Sequence, residues 1–285
     1  MVTNISHFSI LPVLISVDTP NQSKRDVEID YICTSTGTGF LYRKNDTIYL
    51  ITNRHVITER SLDNTILPNC LGGVPRRIRF DIPIQRNDNI THEVILEVGP
   101  LVGDVKLYST DGTPNWLIHP NYKIDVIAIP LCKTTETDKH IICLNDMPLE
   151  EKMLVSVSDD VFVIGYPYGK TSGQKCPLAI WKRATIASEP NASFYPDGRK
   201  TFLIDTTTRS GMSGSPVFAK SSNVCAYEHG GVALGPGQHY KFPGVYSARI
   251  DGDRLDDSFL GIVWKAELID EIIDGNKTEN NPPIF

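Results

Sequence analysis

The chain has 285 residues, of which 40% are hydrophobic and 22% charged, and its formal net charge is -6. That balance excludes a disordered or collagen-like chain. A sequence pI near 5.6 gives no support to binding of a phosphate backbone, so no nucleic-acid partner is expected. The short basic cluster of Arg76, Arg77 and Arg79 reads as solvated charge on a loop or an edge strand. No apolar run approaches the roughly 18 residues that a membrane-spanning helix needs, so no membrane partner is expected.

In chain order, the first segment is apolar from Ile10 to Val17, interrupted by Pro12 and without a basic stretch before it. It makes a poor secretory signal, so the expected location is cytoplasmic. The six cysteines, at 33, 70, 132, 143, 176 and 225, form no Cys-x-x-Cys pair; reduced thiols are expected, with no metal site and no cofactor. The sequons at Asn4, Asn21, Asn45, Asn89, Asn191 and Asn276 carry no meaning in such a compartment.

Short β-type runs broken by Gly, Pro, Asn and Asp follow one another. They cover 31–35, 39–42, 47–52, 94–98, 126–129, 153–157, 161–164, 202–204 and 244–247. Many short strands with few helical periods predict an all-β sandwich or barrel. A polar connector from Cys132 to Glu150 suggests a boundary between two β-rich units, 1–135 and 136–275. One helix is predicted over 265–274, where Leu268, Ile269, Ile272 and Ile273 form an apolar stripe, with Gly275 as its terminator. The tail from Asn276 to Phe285 is expected to fray.

Three segments carry chemistry. Ser213 sits in Gly211-Met212-Ser213-Gly214-Ser215-Pro216, a Gly-rich turn ahead of an apolar run. A nucleophilic serine needs a turn that exposes its hydroxyl, with nearby N–H groups that can receive a developing oxyanion; Gly211 and Ser213 are the predicted donors. His55 follows the apolar run 47–52, where a rigid strand end can hold a general base. Asp125 opens the wholly apolar run 126–129. A carboxylate there is costly unless paired, and an imidazole is a suitable partner. The order His, Asp, Ser differs from that of subtilisin-like and α/β-hydrolase enzymes.

With these segments the chain resembles the trypsin-like (chymotrypsin-fold) serine peptidases, most closely the intracellular bacterial trypsin-like peptidase domains. The match runs from about residue 8 to 275, through Gly37–Phe40, Thr52–Val56, Asp125–Ile129, Val163–Gly169 and Gly211–Pro216. The resemblance implies two six-stranded antiparallel β-barrels with a C-terminal α-helix, the first unit holding His55 and Asp125 and the second Ser213. It implies a serine endopeptidase that forms an acyl-enzyme.

Two segments are candidates for the strand lining the cleft, 231–234 and 242–249; the second keeps the family order of cleft strand, final strand and helix. By resemblance, Ser247 would then bond Asp125, Ser247, Ala248 and Arg249 would pair with substrate backbone, and Thr207 would sit at the base of the primary pocket. A neutral Thr207 gives no carboxylate to attract Lys or Arg. Met212 stands where digestive members carry the Asp that pairs with a freshly cut N-terminus, so activation by that route is not expected. The rival expectation is a catalytically silent or partner-gated peptide-binding module on the same fold, with a regulatory protein partner.

Overall fold

The structure is a computed structural model that describes residues 5–21, 30–68, 70–87, 94–100, 104–137, 140–172, 177–249 and 259–280. The first half holds β1 (Pro12–Pro20), β2 (Tyr31–Lys44), β3 (Thr47–Asn53), α1 (Arg54–Thr58), β4 (Arg77–Arg79), β5 (Asp81–Asn87), β6 (Val94–Pro100), β7 (Val105–Lys106), β8 (Leu117–Ile118), β9 (Val126–Lys133) and β10 (His140–Ile141). The second half holds β11 (Asp160–Gly165), β12 (Ile180–Ile186), β13 (Thr201–Asp205), β14 (Pro216–Ala226), β15 (Val232–Arg249) and β16 (Leu260–Lys265). It is followed by α2 (Glu267–Gly275) and β17 (Lys277–Thr278).

The architecture is all-β, of two-barrel chymotrypsin type, with one C-terminal helix. The second half closes into a six-stranded barrel in the order β11-β12-β13-β16-β15-β14. The first half differs from a plain six-stranded barrel. Its eight-stranded sheet runs β17-β8-β9-β3-β2-β1-β4-β7, beside a three-stranded sheet β10-β5-β6. Two-residue strands added at the edges account for the larger count. β10 pairs His140 and Ile141 with Gln85 and Ile84, so the polar connector gives a strand to the first half.

Continuous apolar runs, buried on both faces, explain the central strands. In β3, Ile48, Leu50 and Ile51 are buried, and β9 begins with four buried apolar residues, Val126 to Ile129. Two runs expected as separate strands, 31–35 and 39–42, are one strand, because Thr36, Gly37, Thr38 and Gly39 stay paired with Ser16, Ile15, Leu14 and Val13 of β1. The run 153–157 is no strand; it contributes only the isolated bridge Met153–Tyr227. The two candidate cleft segments, 231–234 and 242–249, fall almost wholly within β15, which pairs with β14 along its length.

Each half has its own apolar core, and a third cluster bridges them. It joins Phe8, Phe40 and Ile124 to Ile164, Phe218, Trp264 and the Leu268, Ile269, Ile272, Ile273 stripe of α2. The helix ends on Asn276, not Gly275: Asn276 takes the left-handed cap conformation at φ 43°, which asparagine tolerates. The expected frayed tail is anchored at its start. Lys277 and Thr278 pair with Ile118 and Leu117, and Glu279 is buried. Residues 281–285 lie outside the described residues.

The basic cluster is not simply solvated. Arg77 and Arg79 both bond the carboxylate of Asp18, with Nε···Oδ2 distances of 2.8 and 2.7 Å, and Asp18 is only 1% exposed. Burial alone would raise the Asp18 pKa; hydrogen bonds and charge from Arg79 and then Arg77 outweigh it and hold the carboxyl below its ordinary value. A depressed folded pKa adds stability that is present above the unfolded value and lost as pH falls through the folded one. Asp18→Asn should therefore lower the melting temperature at neutral pH and flatten the loss of stability below about pH 4. Thermal melts over a pH series read this; parallel acid limbs for both proteins would contradict it.

Candidate active site

His55 lies in α1, the single turn that leaves β3. The turn is tied to the start of β9. Arg54 N–H donates to the Asp125 carbonyl at 2.8 Å, and Asn53 Nδ2 donates to the same oxygen at 3.2 Å. The Asp125 carboxylate takes both ends of His55: the backbone N–H reaches Oδ1 at 3.1 Å and the ring Nδ1 lies 2.6 Å from Oδ2. Ser247 Oγ donates to Oδ2 at 2.8 Å. Asp125 is 7% exposed, so its charge rests on these three donors. A carboxylate that close to Nδ1 keeps the proton on Nδ1, leaving Nε2 of the neutral ring as the acceptor. Nε2 has no protein partner among the described residues.

Ser213 comes from the turn ahead of β14 and is half-buried. Its Oγ donates to the Ser247 carbonyl at 2.6 Å, not to His55. Ser247 thus contacts both Asp125 and Ser213 and stands between the chain segments that carry them. Backbone pairing fixes the register of the turn against β15: Gly214 N–H donates to Tyr246 O and Tyr246 N–H to Ser215 O, each at 2.9 Å. Gly214 must be glycine. Its φ is 86°, and a Cβ would lie 2.0 Å from the Thr38 carbonyl oxygen.

The N–H groups of Gly211 and Ser213 have no partner among the described residues. The Ser210 carbonyl accepts from Tyr168 N–H at 2.7 Å. In a planar trans peptide the next N–H points the opposite way, so this bond turns Gly211 N–H away from Tyr168. Two free N–H groups flanking a hydroxyl are what stabilisation of an oxyanion requires.

Sequence reasoning missed the part of Thr38. It lies in the Gly37–Phe40 segment, but nothing in a lone threonine announces its links. Its N–H donates to Ser213 O at 2.9 Å, its Oγ1 donates to Gly211 O at 2.7 Å and accepts from Tyr166 N–H at 3.1 Å. Its carbonyl accepts from Thr52 Oγ1 at 2.7 Å. One fully buried residue of the first half therefore holds the serine turn of the second. Thr38→Val removes the hydroxyl that the Gly211 carbonyl and the Tyr166 N–H both bond in a buried site, and should cost about 1–3 kcal/mol of stability. Thr38→Ser should recover most of it. Urea melts of the two variants decide; equal midpoints for Val and Ser would sink the role.

Thr207 is exposed, whereas Thr206 and Thr208 on either side are buried; the inward hydroxyls are those of its neighbours. Ala248 is exposed. Arg249 ends β15 opposite Gly261, and its side chain lies outside the described residues. Among the described residues no cluster of His, Cys, Asp or Glu could hold a metal ion, and no helix is long and apolar enough to cross a membrane. Cys33, Cys70, Cys132, Cys143 and Cys225 are free thiols; burial and the nearby Asp146 push the Cys143 thiol up to about 12. Cys176 lies outside the described residues.

No curated protein matches the chain. Among solved structures it is similar to the Rv3671c protease from M. tuberculosis in its active form, at 15% identity and TM-score 0.44, covering 98% of this chain and 85% of that one. It is also similar to the inactive form of Rv3671c protease, at 16% identity and TM-score 0.42, covering 94% and 89%. The MamO protease domain from Magnetospirillum magneticum, apo form, follows at 12% identity and TM-score 0.38, covering 92% and 95%. Likenesses this low have no bearing on mechanism. The model of the trypsin-like peptidase domain matches residues 37–226, a span that includes His55, Asp125 and Ser213 and two thirds of the sequence, and the chain belongs to that family.

Proposed function

We propose that the chain is a serine endopeptidase, with Ser213 as nucleophile, His55 as general base and Asp125 as the carboxylate that orients and charges the imidazole. The observation that carries this reading is the 2.6 Å contact between His55 Nδ1 and Asp125 Oδ2, which leaves Nε2 as the basic nitrogen. Ser213 Oγ attacks a peptide carbonyl carbon as its proton passes to His55 Nε2. The N–H groups of Gly211 and Ser213 receive the oxyanion. His55 then gives the proton to the leaving amine, and water, deprotonated by the same nitrogen, releases the acyl group. The substrate is a protein or peptide, with its backbone against Ser247, Ala248 and Arg249. The two units, 1–135 and 136–275, bring His55 and Asp125 from one side and Ser213 from the other, and the setting is the cytoplasm.

A second reading has one observation in its favour. The Ser213 hydroxyl is bonded to the Ser247 carbonyl, so the attack requires it to leave that acceptor for His55. A catalytically silent or partner-gated peptide-binding module would keep it there. An alkyl fluorophosphonate separates the two. Covalent labelling of Ser213 in the isolated protein supports the peptidase; no labelling refutes it, and labelling only after a protein partner is added supports the gated form.

A further inference from the structure

We infer that Tyr246 closes the floor of the primary substrate pocket, so that the enzyme cleaves after small side chains such as Gly, Ala or Ser. This rests on the peptidase reading. A substrate strand laid along 247–249 and attacked at Ser213 must aim the side chain next to its scissile carbonyl beside two segments. One is 206–208, a few residues ahead of the nucleophile turn; the other is the start of β16, which pairs with the end of β15 through Arg249 and Gly261.

That space is occupied from within the protein. Tyr246 precedes Ser247 on β15, so its side chain points to the opposite face from the one that reaches Asp125. It is 3% exposed. Its phenol hydrogen-bonds Thr208 Oγ1 at 2.5 Å, and Thr208 is itself 1% exposed. Its ring edge lies over Gly261, where a Cβ would stand 2.6 Å from Cε2 and 3.0 Å from Thr206 Cγ2. The ring thus bridges the two segments that would flank a substrate side chain, and Gly261 is the residue that makes room for it. Ring and bond are held further by packing in the apolar cluster that includes Met212, Ile204 and Val263.

The consequence is steric. A benzyl group would need volume that the phenol fills, a demand that a methyl group does not make. Displacing the phenol breaks a buried hydrogen bond, and unpaired buried hydroxyls are costly.

Peptidyl diphenyl phosphonates test this without a known substrate. The serine attacks phosphorus and phenoxide leaves, and the reagent's own side chain occupies the pocket. The reagent with an alanine side chain should label the wild-type protein about 100-fold faster than the one with a phenylalanine side chain, the scale on which hydrophobic pockets discriminate size. Tyr246→Ala should narrow or reverse that ratio, and Tyr246→Phe, which keeps the ring, should leave the preference for alanine. Equal rates for the two reagents on wild-type protein, or failure of the alanine reagent on a protein that an alkyl fluorophosphonate labels, would overturn the inference whether or not the Ala variant folds. Failure of the alkyl fluorophosphonate itself counts against the peptidase reading instead.

Discussion

Ser213→Ala is expected to lower peptide turnover by about 10⁶-fold, and His55→Ala by a similar factor, as in other triads. The reason is geometric. Ser213 Oγ, on the turn whose Gly211 and Ser213 N–H groups have no partner among the described residues, donates to the Ser247 carbonyl, and Asp125 holds His55 by one hydrogen bond to its imidazole and one to its backbone N–H. Residues that act as one unit lose their effect together, so the double variant should be about as slow as either single one. What remains comes from binding and from the N–H groups, which the alanine leaves intact. Turnover of a peptide library by wild-type and variant protein, with circular dichroism to verify folding, provides the measurement. A Ser213→Ala preparation that keeps wild-type turnover, or a double variant whose loss is the product of the singles, rules out this assignment of roles.

Glu279→Ala should cost about 3–5 kcal/mol of stability, the scale for a buried charge left without its partner. Arg54 and Glu279 are 5% and 7% exposed. Arg54 reaches Glu279 Oε1 through Nε at 2.9 Å and Nη2 at 2.7 Å, and Trp116 Nε1 donates to Oε2 at 2.8 Å. Two more guanidinium donors go to the Ser61 carbonyl and to Asn64 Oδ1. Removing the carboxylate takes the acceptor from a buried guanidinium and from an indole N–H. Arg54 neighbours His55, so the damage falls on the turn that carries the imidazole. Glu279→Gln, which keeps one acceptor oxygen for Arg54 but sets an amide NH2 against the Trp116 N–H, should cost less than Ala and more than nothing. Urea unfolding gives the difference; a loss below about 1 kcal/mol would place the pair among those that contribute little.

Much of the proposed site stands out in the sequence because the residue types it uses are concentrated in local patterns. An Asp at the head of the apolar run 126–129, a His after the apolar run 47–52 and a Ser among glycines are each improbable as chance packing, since a buried carboxylate needs a partner and a tight turn needs glycine. The helix stripe of Leu268, Ile269, Ile272 and Ile273 was legible for the same reason: burial follows periodicity. The strand count of the first half, the single long β2 and the loss of a strand at 153–157 were not, because strand ends are set by which partner is present, and a partner far along the chain leaves no local mark.

The sequence by itself determined the β-rich class and the helix, and marked the segments whose His, Asp and Ser the proposed mechanism uses. Tertiary structure alone decided that Thr38 clamps the serine turn, that Arg77 and Arg79 enclose Asp18, that Glu279 anchors a tail which composition marks as loose, and that Tyr246 rests on Gly261. Each of these is a contact between residues distant along the chain or on opposite strands. Periodicity and turn chemistry report only what a residue's near neighbours require, whereas a hydrogen bond across 173 residues, such as Thr38 to Gly211, exists only once the two halves have packed.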